Sequence, residues 1–303
     1  MKEETYGSSE NNLSNLSNLS TLRTLSNLYD KGGDSMEGQK GTIITVFSTA
    51  YAVGKTLLAI NLAAELARNG ERVCLVDLDL QFGDVCYYLK LHPKKTIADA
   101  EKSLRNHPYD TVAAEFLTPY RAEGTGFDVM ANPKLLEEAY NMDVNLIHDI
   151  ILQLQLEYDY VIIDTTSTFS ALNLSIMDMS TLIDFIGIVD FIPTIKNMKS
   201  GADTLKELGY ENTKIRYVLN RSNAKTKIDV KDVEAILGRS FNYVISNDFM
   251  TARKSIRSGI PLVIESKDTQ VAREIRSMLG MSDKDSGRKA ESNEKGWLSR
   301  LFS

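Results

Sequence analysis

From residue 41 to about residue 281 the chain alternates short apolar runs with longer stretches of helical periodicity. The runs are "GTIITVFS", "RVCLVDLD", "GFDVMAN", "YDYVIIDTT", "TLIDFIGIVD", "TKIRYVLN" and "FNYVISN". They are nearly continuous and rich in β-branched residues, as strands buried on both faces of a parallel sheet must be. Between them lie "KTLLAINLAAELARNG", closing on Gly70, then "DVNLIHDIILQLQLEY", and "DTQVAREIRSMLG", ending on Gly280. These read as helices. The alternation predicts an α/β fold, a three-layer sandwich around a mostly parallel sheet with right-handed crossovers. In such sheets ligands sit at the carboxyl ends of the strands.

The ends of the chain follow other rules. In residues 1–40, "NLSNLSNLSTLRTLSNLY" repeats leucine every third position from Leu13 to Leu28, which fits neither helix nor strand. Asn and Ser favour turns over helix interiors, so a flexible low-complexity tail is expected. Residues 282–294, "SDKDSGRKAESNE", read as a solvated linker. Residues 295–303, "KGWLSRLFS", turn apolar again, with Trp297, Leu298, Leu301 and Phe302 on one helical face and Arg300 beside it.

Composition narrows the class. A chain of 303 residues, 43% hydrophobic and 25% charged, suits a soluble globular protein of one large domain or two small ones. Its net charge of −6 offers no global field for nucleic acid, so DNA is not expected as a partner. Two cysteines, Cys74 and Cys86, make neither a disulfide framework nor a metal site; Cys74 reads as a core residue. No run reaches the ~20 apolar residues of a membrane span, and "MKEETYGSSENN" holds no signal core. A cytoplasmic protein is expected.

The chemistry concentrates after three runs. "FSTAYAVGKTLLAINLA" places Val53, Gly54, Lys55, Thr56 and Leu57 between a strand and a helix, which is phosphate-loop geometry. Backbone N–H groups at that helix start would face phosphate. Lys55 would reach the β/γ-phosphates and the Thr56 hydroxyl would bind Mg²⁺. The first position of the usual pattern is Thr49, not glycine, so the context carries the reading. In "VCLVDLDLQFGDV", Asp77 and Asp79 are expected on one strand face at its end. "YDYVIIDTT" ends four apolar residues with Asp164, a Walker-B arrangement.

Together these pieces resemble the deviant-Walker-A ATPases, the MinD/ParA superfamily. Within it the likeness is nearest to the CpaE/TadZ proteins of Tad (type IVc) pilus assembly, "DLDLQFGDV" being the most branch-specific piece. With "VLNR" and "NDF…ARKSIRSGIPLV" it spans about residues 42–280. The resemblance implies a P-loop NTPase (MinD-like) fold that binds ATP and Mg²⁺ and forms a homodimer in the ATP state. Lys55 and Thr56 match the loop lysine and metal-binding threonine. Asp79 matches the aspartate that positions the attacking water, and Asp77 and Asp164 match the outer Mg²⁺ shell. Asn220, with Arg221 next to it, matches the adenine-contacting asparagine, though a strand-end turn residue would look the same.

The departures are specific. Ala50 stands where the family's loop has its signature lysine, and Tyr51 and Ala52 replace two glycines. Thr166 and Ser246 stand where prolines are usual. Loss of a cation that meets developing phosphoryl charge removes several kcal/mol, so slow or absent ATP hydrolysis is expected. The C-terminal segment resembles the membrane-targeting helix of MinD proteins and suits an interfacial anchor on the inner face of the cell membrane; docking on protein is the other reading. The function expected is a membrane-associating positioning or assembly factor, with pilus or secretion machinery as partner. The competitors are a ParA-type DNA-partitioning ATPase, with Arg253, Lys254 and Arg257 as its best basic surface, and a non-hydrolysing scaffold. A tyrosine kinase would carry a C-terminal tyrosine cluster, and none follows Tyr243.

Overall fold

All seven apolar runs form strands in the computed structural model, which describes residues 40–189, 192–223 and 228–281. They are β1 (Thr42–Phe47), β2 (Val73–Asp77), β4 (Thr125–Met130), β5 (Tyr160–Asp164), β6 (Leu182–Gly187), β7 (Ile215–Leu219) and β8 (Tyr243–Val244). An eighth, β3 (Thr118–Ala122), pairs antiparallel with β4 at the sheet edge. The sequence reading missed it because "TPYRA" is a half-exposed edge strand with a proline, which no buried run announces.

The sheet order is β3-β4-β2-β5-β1-β6-β7-β8, parallel everywhere except β3–β4. β1 lies between β5 and β6, so the segments after these strands emerge side by side at one edge. The inner strands are buried on both faces, as their unbroken apolar runs require. One face packs Ile44, Val46, Leu75 and Ile162 against helix α1 (Lys55–Arg68). The other packs Ile43, Cys74, Val161 and Ile163 against the helix Val144–Glu157, so Cys74 is a core residue. The helix Gln270–Ser277 covers the α1 side.

One strand assignment needs correcting. Asp79 is not on β2, which stops at Asp77. The Asp77 carboxylate accepts the N–H of Asp79 at 3.1 Å, and that turn ends the strand. Among the described residues no helix is long and apolar enough to cross a membrane. The expected tail within residues 1–39, the linker 282–294 and the apolar face of Trp297, Leu298, Leu301 and Phe302 with Arg300 beside it lie outside the described residues.

Candidate nucleotide site

Gly54 caps α1 with φ +98° and no side-chain bond to the helix start, so the first N–H groups of α1 lack a side-chain partner. The glycine is also a steric requirement: a Cβ there would lie 2.7 Å from Asn220 Nδ2. Ala52 sits at φ +57°, so one of the two replaced glycines is in the left-handed region, whereas Tyr51 is not among the positive-φ residues.

The Lys55 ammonium donates to Ser167 Oγ at 2.7 Å, and the Ser167 hydroxyl donates to the Ala50 carbonyl at 2.8 Å. Burial lowers the lysine's ionisation, while Asp164 and Asp79 oppose that fall. Ser167, three residues beyond Asp164, escaped the sequence reading. No pattern marks a serine that meets the loop only through space.

The Thr56 hydroxyl donates to Asp164 Oδ2 at 2.6 Å. The other oxygen, Oδ1, is buried with no hydrogen-bond partner among the described residues. Burial pushes the Asp164 carboxyl up to about 7, against the pull of Thr56 and Lys55. Asp77 is fully buried beside it and is likewise raised well above the carboxylate range, by burial first and Asp164 second. Its oxygens take the N–H groups of Asp79 (3.1 Å) and Val85 (3.2 Å). A Cβ at Gly83 would lie 2.4 Å from Asp77 Oδ2, so the glycine in "DLDLQFGDV" makes room for the buried carboxylate. Asp79 is half-exposed, and its Oδ1 accepts from the Phe82 N–H at 3.3 Å.

These donors fit Mg²⁺. The ion keeps several waters and takes one or two protein oxygens plus phosphate, so it needs no full protein cage. Among the described residues there is none. The threonine hydroxyl and the unpartnered carboxylate oxygen at the loop are the groups such an ion would need.

Beside the loop, Gly54, Leu57, Asn220, Arg221, Ile245 and Phe249 line a cleft. Asn220 Nδ2 donates to the Val53 carbonyl at 2.8 Å, and Arg221 Nη2 to the Ala52 carbonyl at 2.9 Å. Val53 itself is fully buried. Across the cleft, Ser246 uses the N–H a proline would lack: it donates to Glu274 at 2.7 Å, as its hydroxyl also does. Thr166 accepts from Asn173 Nδ2 at 2.8 Å. Both proline replacements are therefore tied down by hydrogen bonds.

The model of the AAA_31 family, an AAA domain, matches residues 41–196. An uncharacterized ATP-binding protein of Methanocaldococcus jannaschii is 22% identical over 245 residues, 80% of this chain and 88% of its own. The chain spans 23–56% of the next three curated relatives it matches. Among solved structures, a ParA family ATPase from Chlorobium tepidum superposes with TM-score 0.71 at 19% identity, covering 78% of this chain and 98% of its own. The septum site-determining protein MinD of Pyrococcus horikoshii, solved with Mg-ADP, gives 0.68 at 21%, covering 83% and 100%.

Proposed function

The chain belongs to the AAA_31 family and has the MinD/ParA P-loop fold; from that premise we propose that it binds ATP–Mg²⁺ at this site and hydrolyses it slowly or not at all. The observation that carries the reading is the Thr56–Asp164 pair at the loop, with one carboxylate oxygen left unpartnered. Lys55 would exchange Ser167 for the β/γ-phosphates. Thr56 would hold Mg²⁺, with Asp164 and Asp77 behind it in the ion's outer shell. When bound, the ion neutralises developing phosphate charge. Asp79 orients water, Asn220 stands on the base side, and Arg221 beside it holds the Ala52 carbonyl. Ala50 offers no cation to the transferring phosphoryl group, which is why turnover is slow.

The ATP state is a homodimer in this reading. Tyr51, Phe82, Ile192 and Phe249 are 74%, 74%, 73% and 66% exposed, and each follows the carboxyl end of a parallel strand. Large apolar groups exposed on one edge suit a second copy of the chain. With the C-terminal amphipath as an anchor, the protein is a CpaE/TadZ-type factor at the inner face of the cell membrane, serving Tad pilus or secretion machinery. ParA-type DNA partitioning is the second reading, favoured by the exposed Arg253, Lys254 and Arg257 on one helix. A DNA shift assay over a salt series separates the two.

Calorimetry with ATP–Mg²⁺ tests the site. Binding is expected, weakened at least about tenfold by Thr56→Ala, with steady-state turnover near background. No heat of binding would end the reading. Fast turnover abolished by Asp79→Ala would end its slow-hydrolysis half.

A further inference from the structure

Ala52 and Arg221 are non-glycine residues at positive φ, +57° and +55°, and they touch through the Arg221 Nη2 to Ala52 carbonyl bond. The left-handed region disfavours any residue with a Cβ, and such residues persist where their surroundings over-determine them. The turn carrying Arg221 is fixed in that way. The Asn220 N–H donates to the Gly187 carbonyl at the end of β6 (2.8 Å). The Ser222 N–H donates to the Ile245 carbonyl just past β8 (2.9 Å). The Arg221 N–H itself donates to Asn220 Oδ1 (2.9 Å). From this mount two side chains reach successive carbonyls of the loop: Arg221 takes Ala52, and Asn220 takes Val53.

We propose that Arg221 is a positioning residue that supplies by restraint what glycine at position 52 would supply by conformational freedom. Its bond to the Ala52 carbonyl holds residue 52 in the left-handed region, and with it the loop that leads to Gly54, before nucleotide arrives. The inference rests on the reading of this loop as a phosphate cradle. Without the bond, residue 52 relaxes toward negative φ and only a fraction of the molecules keep a competent loop. Apparent affinity falls by that fraction. Because the effect passes through the backbone, ATP and ADP lose alike.

The test titrates Mg²⁺–ATP and Mg²⁺–ADP into the full chain and three variants. Arg221→Met keeps the aliphatic stem and removes the donor; it is expected to weaken both nucleotides about five- to tenfold. Ala52→Gly alone is expected to change affinity less than about twofold, since the restraint already acts. Adding Ala52→Gly to Arg221→Met is expected to recover most of the loss. Unchanged affinity in Arg221→Met overturns the proposal. So does a double variant as weak as Arg221→Met, which would place Arg221 on the nucleotide itself. A crystal structure of nucleotide-free Arg221→Met gives a readout that needs no ligand: Ala52 is expected to leave the left-handed region, and Ala52 still at positive φ overturns the proposal. That second readout judges the restraint even if the native protein binds no ATP, a result that would end the reading of the site instead.

Discussion

The Asp164 carboxylate ends β5 with one oxygen on the Thr56 hydroxyl and the other, fully buried, on no donor among the described residues. A buried charge without full pairing costs stability, and active sites carry such costs for function. Folded Asp164 ionises near 7, against about 3.9 in an unfolded chain. Between those values the folded state holds more protons, so this group's contribution falls as pH rises through the window and is flat above it. Asp164→Asn is therefore expected to raise the melting temperature in EDTA at pH 8 by at least ~2–4 °C. The gain should shrink toward pH 5 and be absent with Mg²⁺ and nucleotide. A lower melt at pH 8 would mean that the carboxylate is already satisfied. The proposed carriers of this chemistry stand out as letters, because Lys55, Thr56 and Asp164 each follow an apolar run at a fixed offset. Ser167 and the Arg221–Ala52 contact were not. They join residues 112 and 169 positions apart, and only the order of strands brings them together.

At the scale of elements, the apolar runs announced the inner strands but not that two of them are joined by a charge pair. Asp184 on β6 lies opposite Arg216 on β7, both buried, with Arg216 Nε and Nη2 on the two carboxylate oxygens at 2.6 and 2.7 Å. Arg216 Nη1 donates to the Met278 carbonyl at 2.8 Å, which fastens the end of the helix Gln270–Ser277 to the sheet. The only signal is that "TLIDFIG" and "IRYVL" each carry one charge, of opposite sign, inside an otherwise apolar stretch. Removing one partner strands the other in the core, so Arg216→Ala is expected to cost about 3–5 kcal/mol in urea unfolding. Replacing both with apolar residues of similar volume should cost far less. Equal losses in the two variants would mean that shape, rather than the stranded charge, sets the penalty. The β3 edge shows the opposite limit of legibility: its pairing is plain in the fold, yet a proline and alternate exposure hide it among loop sequences.

For the whole molecule, the sheet order turns separate loops into one functional edge. The residues after β1, β2, β6 and β8 include the phosphate loop, Asp79 and the exposed Tyr51, Phe82, Ile192 and Phe249. Nucleotide and a second copy of the chain would then meet the same edge, and dimerisation becomes a readout of ATP. A nine-residue amphipath binds lipid weakly alone, whereas two copies on one dimer gain avidity without any new contact. Two variants separate these steps. Phe82→Asp places a charge on that edge at a solvent-exposed side chain; it should leave ATP binding within a few fold, abolish the ATP-dependent dimer in sedimentation velocity, and with it co-sedimentation on anionic liposomes. Deleting residues 295–303 should leave the dimer intact and abolish liposome binding alone. If the deletion variant still sediments with liposomes, the segment docks on protein instead. If Phe82→Asp still binds liposomes in an ATP-dependent way as a monomer, membrane attachment does not pass through dimer avidity, and the edge serves a different partner.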